Sequence, residues 1–259
     1  MRKLLLALVV LAPSVLLADS VFDGTWRFNP QTAQFGGKPD SYSLQKGMYK
    51  CESCAPKVEV KADGNDHPRS GSPYSDTINV KEVDDHTVEI ASKKGGKVVG
   101  TSKLTASADG KMLTVEWSFI SDNGQEGHGK AGYTRIAAAP AGANQISGTW
   151  KPEKVESISD SASTVTYKMT GDSLSMSDPS GDSYDAKLDG KDYPYKGDPG
   201  TTSVSLKRID ANTIEETDKR NGKVISVSRM KVSADGQTMT MDVTDKLHGT
   251  TAKFEAKKR

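Results

Sequence analysis

Ser107-Ala108-Asp109-Gly110-Lys111-Met112-Leu113-Thr114-Val115-Glu116-Trp117-Ser118-Phe119 reads as a hairpin turn running into a β-strand. Asp-Gly suits such a turn because both residues tolerate positive φ. Beyond it Leu113, Val115, Trp117 and Phe119 fall on one face and Thr114, Glu116 and Ser118 on the other, the period-two signature of a half-buried strand. The same passage returns as Ser233-Ala234-Asp235-Gly236, with Met239, Met241 and Val243 continuing the alternation. At this offset of 126, residues 61–117 and 187–243 share 21 identities in 57 positions without a gap. Solenoid repeats run to only about 20–50 residues, so a period this long implies two copies of a whole domain.

Working outward, Val58, Val60 and Ala62; Val165, Tyr167 and Met169; and Tyr184, Ala186 and Leu188 alternate in the same way. Turn signals separate the runs: Asp63-Gly64, Gly95-Gly96, Gly171-Asp172 and Asn221-Gly222. Turns every ~8–12 residues predict an antiparallel meander, with eight to ten strands per half. A slip of phase between Val227 and Met230 is expected to be a bulge or a barrel corner. No amphipathic helix is expected. Closing each meander into a barrel removes its exposed edges, so the fold expected is all-β: two tandem antiparallel meander barrels. The run Ala137-Ala138-Ala139-Pro140-Ala141-Gly142-Ala143 has the small, Pro-containing character of a boundary. It sets the expected division: domain 1 over 19–137, linker 138–144, domain 2 over 145–259.

The first 18 residues differ from the rest. Arg2 and Lys3 precede the apolar run Leu4–Leu17, and Ala18 precedes Asp19. These 14 positions fall short of the roughly 20 that span a bilayer, and the pattern is that of a secretory signal peptide over 1–18. Export to the periplasm or the extracellular space is the expectation, with no membrane span. The 259 residues are 34% hydrophobic and 27% charged, with 35 Lys+Arg against 34 Asp+Glu. A net charge of +1 provides no global field for nucleic acid, and Lys257-Lys258-Arg259 is a solvated tail.

Phe22-Asp23-Gly24-Thr25-Trp26 and Ile146-Ser147-Gly148-Thr149-Trp150 open the two halves alike. A Gly-x-Trp on the first strand of a meander resembles the lipocalin and fatty-acid-binding (calycin-like) superfamily. That resemblance implies that each Trp closes one end of its barrel beneath a basic residue from the last strand. It assigns Arg135 to the first half and Lys253 to the second. The helical pair of fatty-acid-binding proteins is absent from both halves. Over nearly all of its mature length the chain also resembles secreted bacterial tandem-repeat proteins that have no established activity.

The candidates for chemistry are few. Cys51-Glu52-Ser53-Cys54 occurs only in the first half, and in an exported chain it is expected to be a disulfide. A redox pair would need a helix N-terminus at the first Cys, and a zinc site would need four ligands, so no metal or other cofactor is expected. Gly171-Asp172-Ser173-Leu174 with Asp245-Lys246-Leu247-His248 matches the nucleophile and acid–base blocks of Gly-Asp-Ser-Leu esterases. Ser173 lies in a turn between strands, without the helix that this chemistry requires. The paired segments Asp66-His67-Pro68 and Asp192-Tyr193-Pro194, each followed by Gly-x-Pro, read either as corners or as a lid at the barrel mouth. The expected function is non-enzymatic binding of a small apolar or amphipathic ligand, with Trp26, Trp150, His67, Tyr193 and Tyr195 as candidate contacts. The alternative is an envelope structural or interaction protein with side-chain-filled barrels, and an esterase ranks third.

Overall fold

Every run of alternating residues becomes a strand in the computed structural model, which describes residues 20–259; the expected signal peptide lies outside the described residues. The described chain contains twenty strands and no helix. The first is β1 (Gly24–Gly37). Next come β2 (Asp40–Gln45), β3 (Met48–Cys51), β4 (Val58–Lys61), β5 (Asp63–Pro68) and β6 (Thr77–Asp84). They are followed by β7 (Thr87–Lys94), β8 (Lys97–Ala106), β9 (Met112–Ile120), β10 (Glu126–Ala137) and β11 (Gly148–Ile158). The second half continues with β12 (Thr164–Thr170), β13 (Ser173–Ser177), β14 (Ser183–Lys187), β15 (Asp189–Lys196) and β16 (Ser203–Asp210). It ends with β17 (Thr213–Arg220), β18 (Lys223–Val232), β19 (Thr238–Asp245) and β20 (Thr250–Lys258).

These strands form two ten-stranded antiparallel sheets. One is a closed barrel in the order β1-β12-β13 and onward to β20, which returns to β1. The other runs β4-β3-β2-β11-β10 and onward to β5, and stays unpaired only between β4 and β5. Sheet membership therefore crosses the expected division between 19–137 and 145–259. Trp26 pairs with Val165 on one side and Lys258 on the other. Trp150 pairs with Arg135 and with Asp40. The cause lies in the connection: β10 and β11 are consecutive, so a hairpin lays β11 where the first barrel needs a first strand. The vacancy this leaves in the second barrel is filled by β1.

The two cores follow the same exchange. Phe22 and Trp26 pack with Leu174, Leu206, Ile214 and Met239, whereas Ile146 and Trp150 pack with Leu44, Val80 and Leu113. Each indole is fully buried and donates its Nε1–H to a carbonyl four residues earlier: Trp26 to Phe22 at 2.8 Å and Trp150 to Ile146 at 2.9 Å. Over each indole sits a cation. Arg135 stacks 4.2 Å from the Trp150 ring, not over Trp26, and donates to the Gly110, Gln145 and Ser147 carbonyls. Over Trp26 the cation is Lys258, at 4.8 Å, rather than Lys253, which instead pairs with Asp242. Gly24 and Gly148 start these strands at φ of 120° and 135°, a region L side chains avoid. A Cβ on Gly148 would also strike the Ala137 carbonyl.

The phase slip has a different origin from the one expected. Inward positions on β18 are Ser228, Met230 and Val232, all buried, so Val227 points outward and Ser228 is a polar residue on the inner face. The register shift itself lies earlier, where Asp218 faces Ser226 and Lys219 faces Val224. Ser92 facing Gly100 and Lys93 facing Val98 repeat it in the first barrel.

Candidate functional site

Away from the Trp26 end, the second barrel's inner face turns polar. Along β17, Ile214 is fully buried beneath the core, and the next two inward residues are Glu216 and Asp218. The Tyr184 hydroxyl donates to Glu216 Oε2, and Ser226 donates to Asp218 Oδ2 at 2.6 Å. Tyr184 and Tyr195 hold their rings 5.8 Å apart, and Phe28 meets Phe254 edge to face at 5.0 Å.

A chamber of about 370 Å³ opens here, walled by Phe28, Tyr167, Met176 and Tyr195 and floored by Glu216. Asp178 and Asp182 stand at its edge, and Trp117 and Phe119 of the first barrel close it from across the seam. These two rings stack at 6.1 Å with an interplanar angle of 11°. Their cross-strand partners are Gly129 and Gly127. A Cβ at either glycine would penetrate the ring lying over it, so both positions must be bare for the aromatic pair to lie across β10. The seam is crossed by Asn123, which donates to the Pro179 carbonyl at 3.0 Å, and by Tyr74, whose hydroxyl packs against Gly200 beside Asp198.

The carboxyl groups here share an unusual electrostatic setting. Burial pushes Glu216 upward from the ordinary carboxylate range, and the neighbouring Asp218 charge adds to the rise. Burial also raises Asp218 and Asp178. Asp182 is pushed up to about 7 by burial, with Asp178 and Asp198 contributing. Desolvation penalises the charged form, and like charges compound the penalty.

The first barrel is built differently inside. At the offset of 126, Glu216, Asp218 and Tyr195 correspond to Ile90, Ser92 and Arg69. Arg69 reaches Ser75 and Ser92, both at 3.3 Å, across that interior. Cys51 and Cys54 are joined as a disulfide, with Cys51 in the buried core.

The residues singled out in the sequence are dispersed. Trp26 and Trp150 are fully buried at the barrel ends and do not line the chamber. The Asp66-His67-Pro68 and Asp192-Tyr193-Pro194 segments are not loops but parts of β5 and β15. His67 pairs with Asp63 at 2.8 Å, and Tyr193 donates to Asp189 at 3.1 Å, so each is tied to its own strand. Only Tyr195 lines the chamber. Ser173 starts β13, opposite Thr170 and Lys187. Asp245 and His248 pair at 2.6 Å within the β19–β20 turn. That turn opens on a seam groove beside Asp40 and Tyr133.

No protein-family model matches the chain, and no curated protein is significantly similar to it. Among the described residues no helix is long and apolar enough to cross a membrane.

Proposed function

We propose that the protein is an exported, non-enzymatic binding protein of the calycin-like type, which takes a small, partly apolar ligand at the mouth of its second barrel. The observation that carries this reading is the aromatic-walled chamber of about 370 Å³, closed on one side by the first barrel. Its size lies within the ~300–1,000 Å³ usual for small-molecule sites, and it sets aromatic walls beside hydroxyl and carboxyl side chains. The Trp–cation plug at the opposite end leaves a single open mouth, which suits a binding barrel. The disulfide supports an oxidising compartment, hence export.

Two measurements test the reading. Native mass spectrometry of the protein purified from its exporting host is expected to show a co-purified small molecule. The neutral fluorophore N-phenyl-1-naphthylamine is expected to bind saturably with a blue shift, and Ala162→Phe at the chamber's edge is expected to weaken it. Repeated absence of a bound molecule together with non-saturable fluorescence would overturn the proposal.

A further inference from the structure

We propose that the chamber is a site for an organic cation, a small amine whose ammonium group meets Glu216 and whose apolar body lies against Tyr195, Met176 and Trp117. The inference rests on the binding reading above and narrows it to one chemical class.

The first support is the contrast between the two barrels. The strand positions that carry Glu216 and Asp218 in the second barrel carry Ile90 and Ser92 in the first, and Asp182 and Asp198 stand where the first has Pro56 and Ser72. The architecture folds without Glu216 and Asp218, so these two inward carboxyl groups need another reason, whereas Asp198 is held in its own turn by the Gly200 amide and the Thr201 hydroxyl. A second support is missing counter-charge. Among the described residues none of Asp178, Asp182, Asp198, Glu216 and Asp218 takes part in an ion pair, although eighteen pairs are formed elsewhere on the surface. Arg220, the cation at the rim, gives its Nε–H to the Gly200 carbonyl.

The third support is unmet hydrogen-bonding capacity. Tyr184 occupies only Oε2 of Glu216, and among the described residues the other oxygen of this chamber-lining residue has no hydrogen-bond partner. Among the described residues Asp218 Oδ1 and Thr164 Oγ1 are buried without a partner, and Thr164 lines the same chamber. Buried polar atoms are nearly always satisfied, so an orphan calls for an explanation. An ammonium group carries up to three donors and no acceptor, which matches the free carboxyl oxygens of Glu216 and Asp218. Tyrosine and tryptophan rings around it add the attraction of their π faces for a cation. Among the described residues no three His, Cys, Asp or Glu side chains converge as metal ligands, and dispersed charge beside aromatic walls suits an organic cation better than a metal ion.

The test uses three probes of one shape on the full-length mature protein: 2-phenylethylamine, 2-phenylethanol and 3-phenylpropanoate, titrated calorimetrically at pH 8 and low salt. The amine is expected to bind at least tenfold more tightly than the alcohol, and the carboxylate not at all. The double variant Glu216→Ile, Asp218→Ser installs the residues that the first barrel already carries, and its thermal melt confirms folding. In it the amine is expected to fall to the affinity of the alcohol while alcohol binding persists. Equal affinities in the parent protein would overturn the cation inference and leave the binding reading standing. An amine preference that survives in the double variant would overturn the placement at Glu216 and Asp218. Failure of both amine and alcohol to bind would overturn the binding reading as well.

Discussion

Trp26→Ala should destabilise the barrel built from the other end of the chain. The indole is fully buried in the second barrel's core and donates to the Phe22 carbonyl. A buried Trp removes about 150–250 Å² from water, which at about 25 cal/mol per Å² amounts to about 4–6 kcal/mol. The orphaned Phe22 carbonyl costs about a further 1 kcal/mol, and partial collapse of the cavity offsets a similar amount. A loss of about 5 kcal/mol is a third or more of the stability of an ordinary domain. Hydrogen exchange followed peptide by peptide reads where it falls. Globally protected amides on β12–β20 should lose about three to four decades of protection, since each decade is about 1.4 kcal/mol. Amides on β2–β10, which lie nearer to Trp26 in sequence, should change little. Trp150→Ala should give the mirror result. If Trp26→Ala deprotects residues 40–137 and leaves 164–258 unchanged, the crossed pairing of β1 and β11 is wrong.

Gly129→Val should destabilise by about 1–3 kcal/mol through overpacking and shift Trp117 fluorescence to the red as the ring is expelled; an unchanged spectrum would contradict the glycine–aromatic packing. Thiol titration under denaturing, non-reducing conditions should find no free thiol, because Cys51 and Cys54 are bonded; reduction should cost at most about 2 kcal/mol, since the closed loop is short. Thermal stability should fall as pH rises from 5 to 8. Asp182, raised to about 7 in the folded state, binds its proton more tightly there than when unfolded, so its favourable contribution is lost as pH climbs through that value. Asp63, lowered to about 2 by His67 and the Asn65 amide, contributes with the opposite sign and is lost only in strong acid. Melts of an Asp182→Asn variant should show a flatter profile between pH 5 and 8, and an identical slope would contradict the assignment of that loss to Asp182. Fluorophosphonate should leave Ser173 unlabelled, because Asp245 and His248 pair within a separate turn; labelling there would revive the esterase.

The strands were legible because alternation is local: Leu113, Val115, Trp117 and Phe119 declare a face whatever they pack against. The exchange of β1 and β11 was not. Phe22-Asp23-Gly24-Thr25-Trp26 and Ile146-Ser147-Gly148-Thr149-Trp150 fit the same slot equally well, and only chain connection decides which strand takes which. The cations over the indoles followed the exchange, so Arg135 found the other Trp. The chamber was hidden for another reason. In Thr213-Ile214-Glu215-Glu216-Thr217-Asp218 both faces are polar beyond Ile214, which removes the phase signal and makes inward carboxyl groups look solvated. The repeat held the missing clue, because Glu216 aligns with Ile90 and a charge replacing an apolar inward residue marks a changed interior.

Strand β1 ties the second barrel's closure to its chamber. Its residues serve successive levels: Trp26 plugs the closed end, Phe28 walls the chamber, and Phe35 reaches the seam groove between the barrels. The chamber's opposite wall is Trp117 and Phe119, which belong to the barrel inserted between β1 and β12. Neither barrel therefore makes the site alone, and a break in the seam would open the chamber without unfolding either one. Asn123 donating to the Pro179 carbonyl and Tyr74 packed against Gly200 are polar contacts across that seam beside the chamber. Removing both polar groups, by Asn123→Ala and Tyr74→Phe, costs about 1 kcal/mol for the Asn123 hydrogen bond, a small fraction of either barrel's stability. N-phenyl-1-naphthylamine affinity in that variant should fall while the far-ultraviolet spectrum and melting temperature hold. Unchanged affinity would mean that the first barrel merely lies against the mouth and contributes no wall to it.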